Sequence, residues 1–110
     1  MDKTLSLTAL AALGQETRLD VFRLLVRAGA MGIPAGELAD RLGAVQNTPS
    51  AHLKILSAAG LVRSQRESRT IRYFAEMTGF RDLMAYLMED CCQGEPDLCR
   101  PVLDAITCKC

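Results

Sequence analysis

The spacing of apolar residues predicts four helices over the first sixty positions. Leucines two or three apart predict a short amphipathic helix over residues 5–13, and a broad apolar stripe predicts a second from residue 17 to about Gly29. Residues 35–42 return to helical spacing and are followed by a glycine. A fourth helix is expected over residues 48–60, because this stretch opens with a capping threonine and a proline and ends at a glycine.

The pattern changes after residue 60, where strand-forming residues replace the helical spacing. Residues 61–66 and 70–75 predict two strands around a polar turn, which together form a β-hairpin. A last helix is expected over residues 78–90, because its apolar residues lie on one side and Gly94 and Pro96 then break it. The predicted fold class is mainly α with a β-hairpin, in the order α-α-α-α-β-β-α.

Charge is divided unevenly along the chain, although the formal net charge is zero. Residues 47–75 carry five Lys and Arg residues against one acidic residue, a net charge of +4, whereas residues 76–110 carry three against seven, a net charge of −4. The middle of the chain is therefore the candidate surface for nucleic acid, and the C-terminal part is not.

Two short helices joined by a turn, over residues 35–42 and 48–60, match the helix-turn-helix plan, in which the second helix enters the major groove of DNA. Three arginines around the hairpin turn suit phosphates or a minor groove, so the hairpin is interpreted as a wing. The plainer interpretations are a solvated hairpin face and, for His52, a partly exposed surface residue. The predicted DNA-binding residues are Gln46, Thr48, Ser50, His52, Lys54, Arg66, Arg69 and Arg72.

Over nearly its whole length the chain resembles the ArsR/SmtB family of bacterial metalloregulators. The segments that carry the resemblance are ALGQETRLDVFRLL at 12–25, GELADRL at 36–42, TPSAHLKILSAAGLV at 48–62 and RSQRESRTIRYF at 63–74. The resemblance implies a winged helix-turn-helix homodimer, formed through the first and last helices, that binds double-stranded operator DNA and releases it when an ion binds. On this basis residues 1–92 are expected to form the DNA-binding and dimerisation domain, and residues 93–110 a cysteine-containing tail.

Two ligand sites of the family cannot be transferred to this sequence. The founding arsenic sensors of the family carry a Cys-x-Cys pair in the helix before the recognition helix, and residues 36–43 contain no cysteine. The zinc sensors use histidine and carboxylate ligands on the last helix, and residues 78–90 contain no histidine. This chain is similar instead to members with adjacent cysteines after the last helix and a third a few residues on, which respond to arsenite or antimonite.

All five cysteines lie in the last twenty residues, and a ligand cluster explains this crowding better than a disulfide framework does. Trivalent arsenic is soft and three-coordinate, so three converging thiols satisfy it, whereas zinc normally takes four ligands. As(III) is therefore the expected inducer, Sb(III) is a second candidate, and Zn or Cd is less favoured. The predicted ligands are Cys91, Cys92 and Cys99, with Cys108 and Cys110 as accessory residues.

Other interpretations of these cysteines remain open. They could serve a zinc- or cadmium-responsive repressor of the same fold, a thiol redox-sensing regulator, or a structural zinc that holds the tail. The adjacent pair could simply be packed small residues, and a short helix over residues 97–106 could turn Cys99 toward the core. The sequence has no phosphate loop, nucleophile-base pair or redox spacing, so an enzyme with an organic substrate is not expected. No secretory leader and no long apolar run is present, which predicts a cytoplasmic protein with no membrane contact.

Overall fold

A computed structural model describes residues 1–43, 48–89 and 96–106, including the side chains of all of these except residues 48, 49 and 96. The helices in this part of the chain are α1 (Lys3–Leu13), α2 (Glu16–Ala28), α3 (Ala35–Leu42), α4 (Thr48–Ala58), α5 (Met77–Leu87) and α6 (Pro96–Ala105). The strands are β1 (Ile33–Pro34), β2 (Val62–Glu67) and β3 (Thr70–Ala75), and a single 3-10 turn covers Gly29–Met31.

Side-chain caps fix where several helices begin. The carboxylate of Asp2 accepts a hydrogen bond from the Leu5 N–H at 2.8 Å, and the amide oxygen of Gln15 accepts one from the Arg18 N–H at 2.9 Å. Each cap satisfies an amide that has no partner within its own helix. Helix α3 ends at Gly43, which adopts a left-handed conformation with φ 60°.

The three strands form one antiparallel sheet with the order β1-β3-β2. In the hairpin, Val62 pairs with Ala75 and Glu67 pairs with Thr70, so the connection is a tight turn of two residues. Strand β1 adds to the other side of β3, where Ile33 pairs with Tyr73. The sequence did not predict β1, because its two residues form a strand only through this long-range pairing.

The core lies where α1, α2 and α4 pack together, with α2 against strand β3 and α5 against α1. Its buried apolar residues are Ala9, Ala12, Val21, Phe22, Leu25, Ile33, Leu38, Leu53, Leu56, Leu61, Val62 and Leu83. The rings of Phe22 on α2 and Phe80 on α5 have centroids 5.4 Å apart, which joins the second helix to the fifth.

The predicted winged helix-turn-helix fold is confirmed, with β1 and α6 as additions to the predicted order. Helix α5 begins one residue before the predicted start at 78 and ends at Leu87 rather than at residue 90, which lies outside the described residues. Helix α6 occupies most of the segment at 97–106 that the sequence offered as a short helix. In the described parts of the chain, no helix is long and apolar enough to cross a membrane.

Candidate nucleic-acid interface

Helix α4 presents two of the predicted DNA-binding side chains to the outside. Ser50 and Lys54 are exposed, whereas Leu53 and Leu56 on the same helix are buried in the core. The alternation follows from the helical period, which turns residues three or four apart toward one side. Two further predicted residues, Gln46 and the side chain of Thr48, lie outside the described part of the chain.

His52 is half-buried, because it contacts another helix. Its Nδ1 lies 3.4 Å from Nη1 of Arg18 on α2. The same guanidinium donates from Nε to the carbonyl oxygen of Ala12 at 2.7 Å and from Nη2 to that of Ala11 at 3.4 Å. These carbonyls are at the C-terminal end of α1, where the helix leaves acceptors without intrahelical partners and favours a cation. Arg18 thus joins α1, α2 and α4, a role for which the sequence carries no local signal.

The three arginines of the wing differ in what they touch. Arg66 and Arg69 are exposed, and Arg66 makes one hydrogen bond, from Nε to the Ser68 carbonyl oxygen at 3.4 Å. Arg72 is more enclosed, with 27% of its side chain exposed. Its Nε lies 2.8 Å from a carboxylate oxygen of Glu67, and its Nη1 donates to the Met31 carbonyl oxygen at 2.8 Å. In this structure Arg72 therefore ties the wing to the 3-10 turn before β1.

The charge of this surface follows from these pairings. Glu67 is the only acidic residue between 47 and 75, and Arg72 neutralises it at 2.8 Å. Across the described residues, Lys54, Arg66 and Arg69 are in no ion pair and remain exposed. The outer face of α4 and the tip of the wing therefore carry a positive field that would attract a polyanion.

Side chains at the base of the wing contact the start of α5. The guanidinium of Arg63 lies 4.2 Å from the centroid of the Phe74 ring, and its Nε is 3.8 Å from a carboxylate oxygen of Glu76. Glu76 also caps α5 by accepting from the Thr78 N–H at 3.3 Å, and its own N–H donates to the Leu61 carbonyl oxygen at 2.8 Å. Glu76 therefore connects three parts of the chain, namely Arg63 in the wing, Leu61 just after the turn that follows α4, and the start of α5.

Two glycines bring the backbones of the same region together. Gly60, in the turn after α4, has φ 77°, and Gly79 lies in the first turn of α5. A Cβ added at Gly79 would meet the carbonyl group of Gly60, so the two chain segments touch with no side chain between them. The sequence identified Gly60 as the end of α4, but it contained no local signal for this contact.

The predicted ion ligands lie mostly outside the described residues, namely Cys91, Cys92, Cys108 and Cys110. Cys99 is on α6, is 7% exposed and is disulfide-bonded. The assignment of Cys91, Cys92 and Cys99 as ion ligands stays a prediction, because two of these three residues lie outside the described part of the chain. Among the residues that the structure describes, no group of three His, Cys, Asp or Glu side chains could hold a metal ion.

Comparisons with known proteins identify the domain. Residues 13–65 match a family model described as a helix-turn-helix domain. An uncharacterized HTH-type transcriptional regulator of Bacillus subtilis (strain 168), YceK, is 37% identical over 59 residues, and the match spans 54% of this chain and 58% of that protein. The chain therefore covers less than two thirds of the length of this curated relative.

Solved structures cover more of the chain. An ArsR-like transcriptional regulator from Rhodococcus sp. RHA1 is 29% identical, with a TM-score of 0.68, and the match covers 97% of this chain and 96% of that one. Reduced HlyU from Vibrio cholerae N16961 is 28% identical, with a TM-score of 0.62, covering 81% of this chain and 90% of that one. These similarities extend the match beyond the helix-turn-helix to the wing and the flanking helices.

Proposed function

We propose that this chain, which is similar to ArsR-like and HTH-type transcriptional regulators, is a homodimeric repressor of an arsenic-resistance operon, released from its operator when As(III) binds the C-terminal cysteines. Its relatives are regulators of transcription rather than enzymes. Three parts of the proposal rest on different observations, namely DNA binding, dimerisation and the inducer.

DNA binding rests on the positive surface of α4 and the wing. Lys54, Arg66 and Arg69 are exposed there and are in no ion pair within the described residues, while Glu67, the only acidic residue between 47 and 75, is already paired with Arg72. Contacts from such cations to phosphates release counterions. The logarithm of the binding constant therefore falls linearly with the logarithm of the salt concentration, with a slope of about 0.9 for each phosphate contact. Ser50 is exposed on the same helix and can contact a base edge or a phosphate.

A selection experiment tests this part directly. The purified chain is used to enrich binding sites from a randomised duplex library, and the recovered duplex is then titrated by fluorescence anisotropy at several salt concentrations. We expect an inverted repeat with half-sites about 34–36 Å apart and a steep salt dependence. A scrambled duplex of the same composition is the control. Equal affinity for both duplexes would refute operator recognition.

Dimerisation through the first and last helices of the domain is supported by apolar side chains left on their surfaces. On α1, Leu5, Leu7 and Leu10 are exposed, and so is Leu87 at the end of α5. Leu7 and Leu10 are three positions apart and therefore lie on one side of α1, and exposed apolar residues on one face commonly mark a protein–protein interface. Sedimentation of the wild-type chain should give a dimer, and Leu7→Glu should shift it to a monomer. A monomeric wild-type chain at the concentration that binds DNA would contradict the proposal.

The inducer proposal rests on the chemistry of the cysteines. Three thiols suit As(III), and Sb(III) shares this preference, whereas Zn and Cd favour a fourth ligand. Because the sulfur of a disulfide cannot bind As(III) as a thiolate, Cys99 must first be reduced. Titrating arsenite, antimonite, zinc and cadmium into the reduced chain on its selected duplex distinguishes these ions.

Serine variants identify the ligands. We expect Cys91→Ser, Cys92→Ser and Cys99→Ser to keep DNA affinity and to lose release by arsenite, and Cys108→Ser tests whether the accessory pair contributes to that release. X-ray absorption on the loaded protein should give arsenic–sulfur bonds. Normal release by all three serine variants would refute the assignment.

A thiol redox-sensing regulator is the second candidate, favoured by the disulfide at Cys99 and by the similarity to HlyU, which has been solved in a reduced form. In that case oxidation alone changes DNA affinity, without any added ion. Comparing the oxidised and reduced chains on the selected duplex separates the two candidates. Equal affinity of both forms, together with release by arsenite, would reject the redox function.

A further inference from the structure

We infer that Arg18 and His52 act as one unit that sets the orientation of the recognition helix, so that His52 contributes to DNA affinity by positioning α4 rather than by contacting a base. The inference rests on the proposed DNA-binding function and extends it to a residue outside the helix-turn-helix surface.

The position of Arg18 is itself fixed on three sides. Its backbone N–H is held by the Gln15 side chain at 2.9 Å, and its guanidinium donates to the carbonyl oxygens of Ala11 and Ala12 at the end of α1. The remaining nitrogen, Nη1, lies 3.4 Å from His52 Nδ1. Since the planar guanidinium offers its donors in a rigid fork, a fixed Arg18 gives the histidine ring a fixed partner.

The contact predicts the tautomer of His52. A guanidinium can only donate, so Nδ1 must accept, and the proton of the neutral ring is then on Nε2. The ring is half-buried against α2, in contrast to the exposed Ser50 and Lys54 on the same helix. Three predicted DNA-contact residues on α4 have described side chains, namely Ser50, His52 and Lys54. Of these, His52 is the one whose side chain contacts another helix of the protein.

The geometry of α4 makes its orientation consequential. The helix has 11 residues and is therefore about 16 Å long. A rotation of roughly 10° about one end would move the other end by about 3 Å, as far as the full length of a hydrogen bond. Because Arg18 also holds the end of α1, it fixes α4 relative to the helix that is proposed to form the dimer. The spacing of two recognition helices in the dimer thus depends on this contact.

A double-mutant cycle on DNA affinity tests the inference. The variants are His52→Ala, Arg18→Lys and the combination, each titrated on the selected and scrambled duplexes. Lysine keeps a cation at the end of α1 but lacks the fork that reaches the histidine. We expect each single variant to lose about tenfold in affinity for the selected duplex, and the double variant to lose about the same factor rather than their product. Affinity for the scrambled duplex and the salt slope should not change.

The control is Arg23→Lys, an exposed arginine on the same helix, which should leave both affinities unchanged. Additive losses, or a loss in His52→Ala with none in Arg18→Lys, would show that His52 contacts DNA directly and would overturn the inference. If the wild-type chain enriches no sequence, the proposed function fails instead.

Nuclear magnetic resonance tests the contact without DNA. His52 is the only histidine in the chain, so its ring gives a single set of nitrogen signals. We expect the neutral ring to carry its proton on Nε2, with the Nδ1 signal shifted by Arg18→Lys and unaffected by Arg23→Lys. A ring protonated on Nδ1 in the neutral state would refute the contact.

Discussion

Gly79→Ala probes the backbone contact between the turn after α4 and the first turn of α5. A Cβ at residue 79 would meet the carbonyl oxygen of Gly60 and would lie 2.9 Å from its carbonyl carbon, inside the 3.0 Å that real Cβ atoms essentially never cross. Both obstacles are backbone atoms, so no side-chain rotation can relieve the clash. Either α5 must move away from Gly60 or the turn after α4 must change its shape.

The magnitude follows from two opposing terms. Overpacking a close contact costs about 1–3 kcal/mol, and a backbone-to-backbone clash belongs at the upper end. Replacing glycine by alanine within a helix stabilises by about 1 kcal/mol, because alanine loses less conformational entropy. The expected net loss is therefore about 2 kcal/mol in the free energy of unfolding, which corresponds to a melting temperature lower by about 8 °C for a domain of this size.

The assay is urea unfolding at one fixed protein concentration, with Gly36→Ala as the matched control. Gly36 is also helical, but a Cβ there would meet nothing within 4 Å, so this variant should gain up to about 1 kcal/mol. Fixed concentration is needed because dimerisation raises apparent stability by mass action. If Gly79→Ala were as stable as Gly36→Ala, the two backbones would not be in contact and the reasoning would be wrong.

Three further predictions concern separate parts of the molecule. Ser6 is 2% exposed on α1 and its hydroxyl has no hydrogen-bond partner among the described residues, so Ser6→Ala should stabilise the chain by about 1 kcal/mol in the same unfolding assay. Arg69→Ala should flatten the salt slope of DNA binding by about 1 and leave the melting temperature unchanged. Arg72→Ala should lower the melting temperature, because it loses the hydrogen bond to the Met31 carbonyl oxygen. The reverse pattern would contradict these roles. The oxidised chain should melt at a higher temperature than the reduced chain, and Cys99→Ser should abolish that difference; an undiminished difference would place the disulfide elsewhere.

Elements with strong local signals could be predicted from the sequence. The predicted bounds of the third helix match α3 (Ala35–Leu42), because Gly43 ends it in a left-handed conformation that glycine adopts easily. The second strand of the hairpin also matches at Thr70–Ala75. Strand β1 could not be predicted in this way, since two residues carry no detectable alternation and its pairing with β3 joins positions about forty residues apart.

The residues of the candidate site also differ in whether a local signal in the sequence identifies them. Lys54, Arg66 and Arg69 could be recognised from the excess of positive charge, because side chains on the outer face of a helix or a hairpin remain accessible in the folded chain. The structural ties of Arg72 to Met31 and of Arg18 to His52 span 41 and 34 positions. Composition and periodicity describe neighbours along the chain, so contacts at this separation become visible only once the helices are packed.

The strands of the wing contact the rest of the domain, whereas the turn at its tip does not contribute to the core. The sequence of that turn could therefore be replaced. Arg63 and Arg72 hold the strands to the body of the domain, while the turn between Glu67 and Thr70 has no role in the core. Turns from other sequences could be grafted at this site to alter which groove width the protein prefers, without redesigning the scaffold beneath.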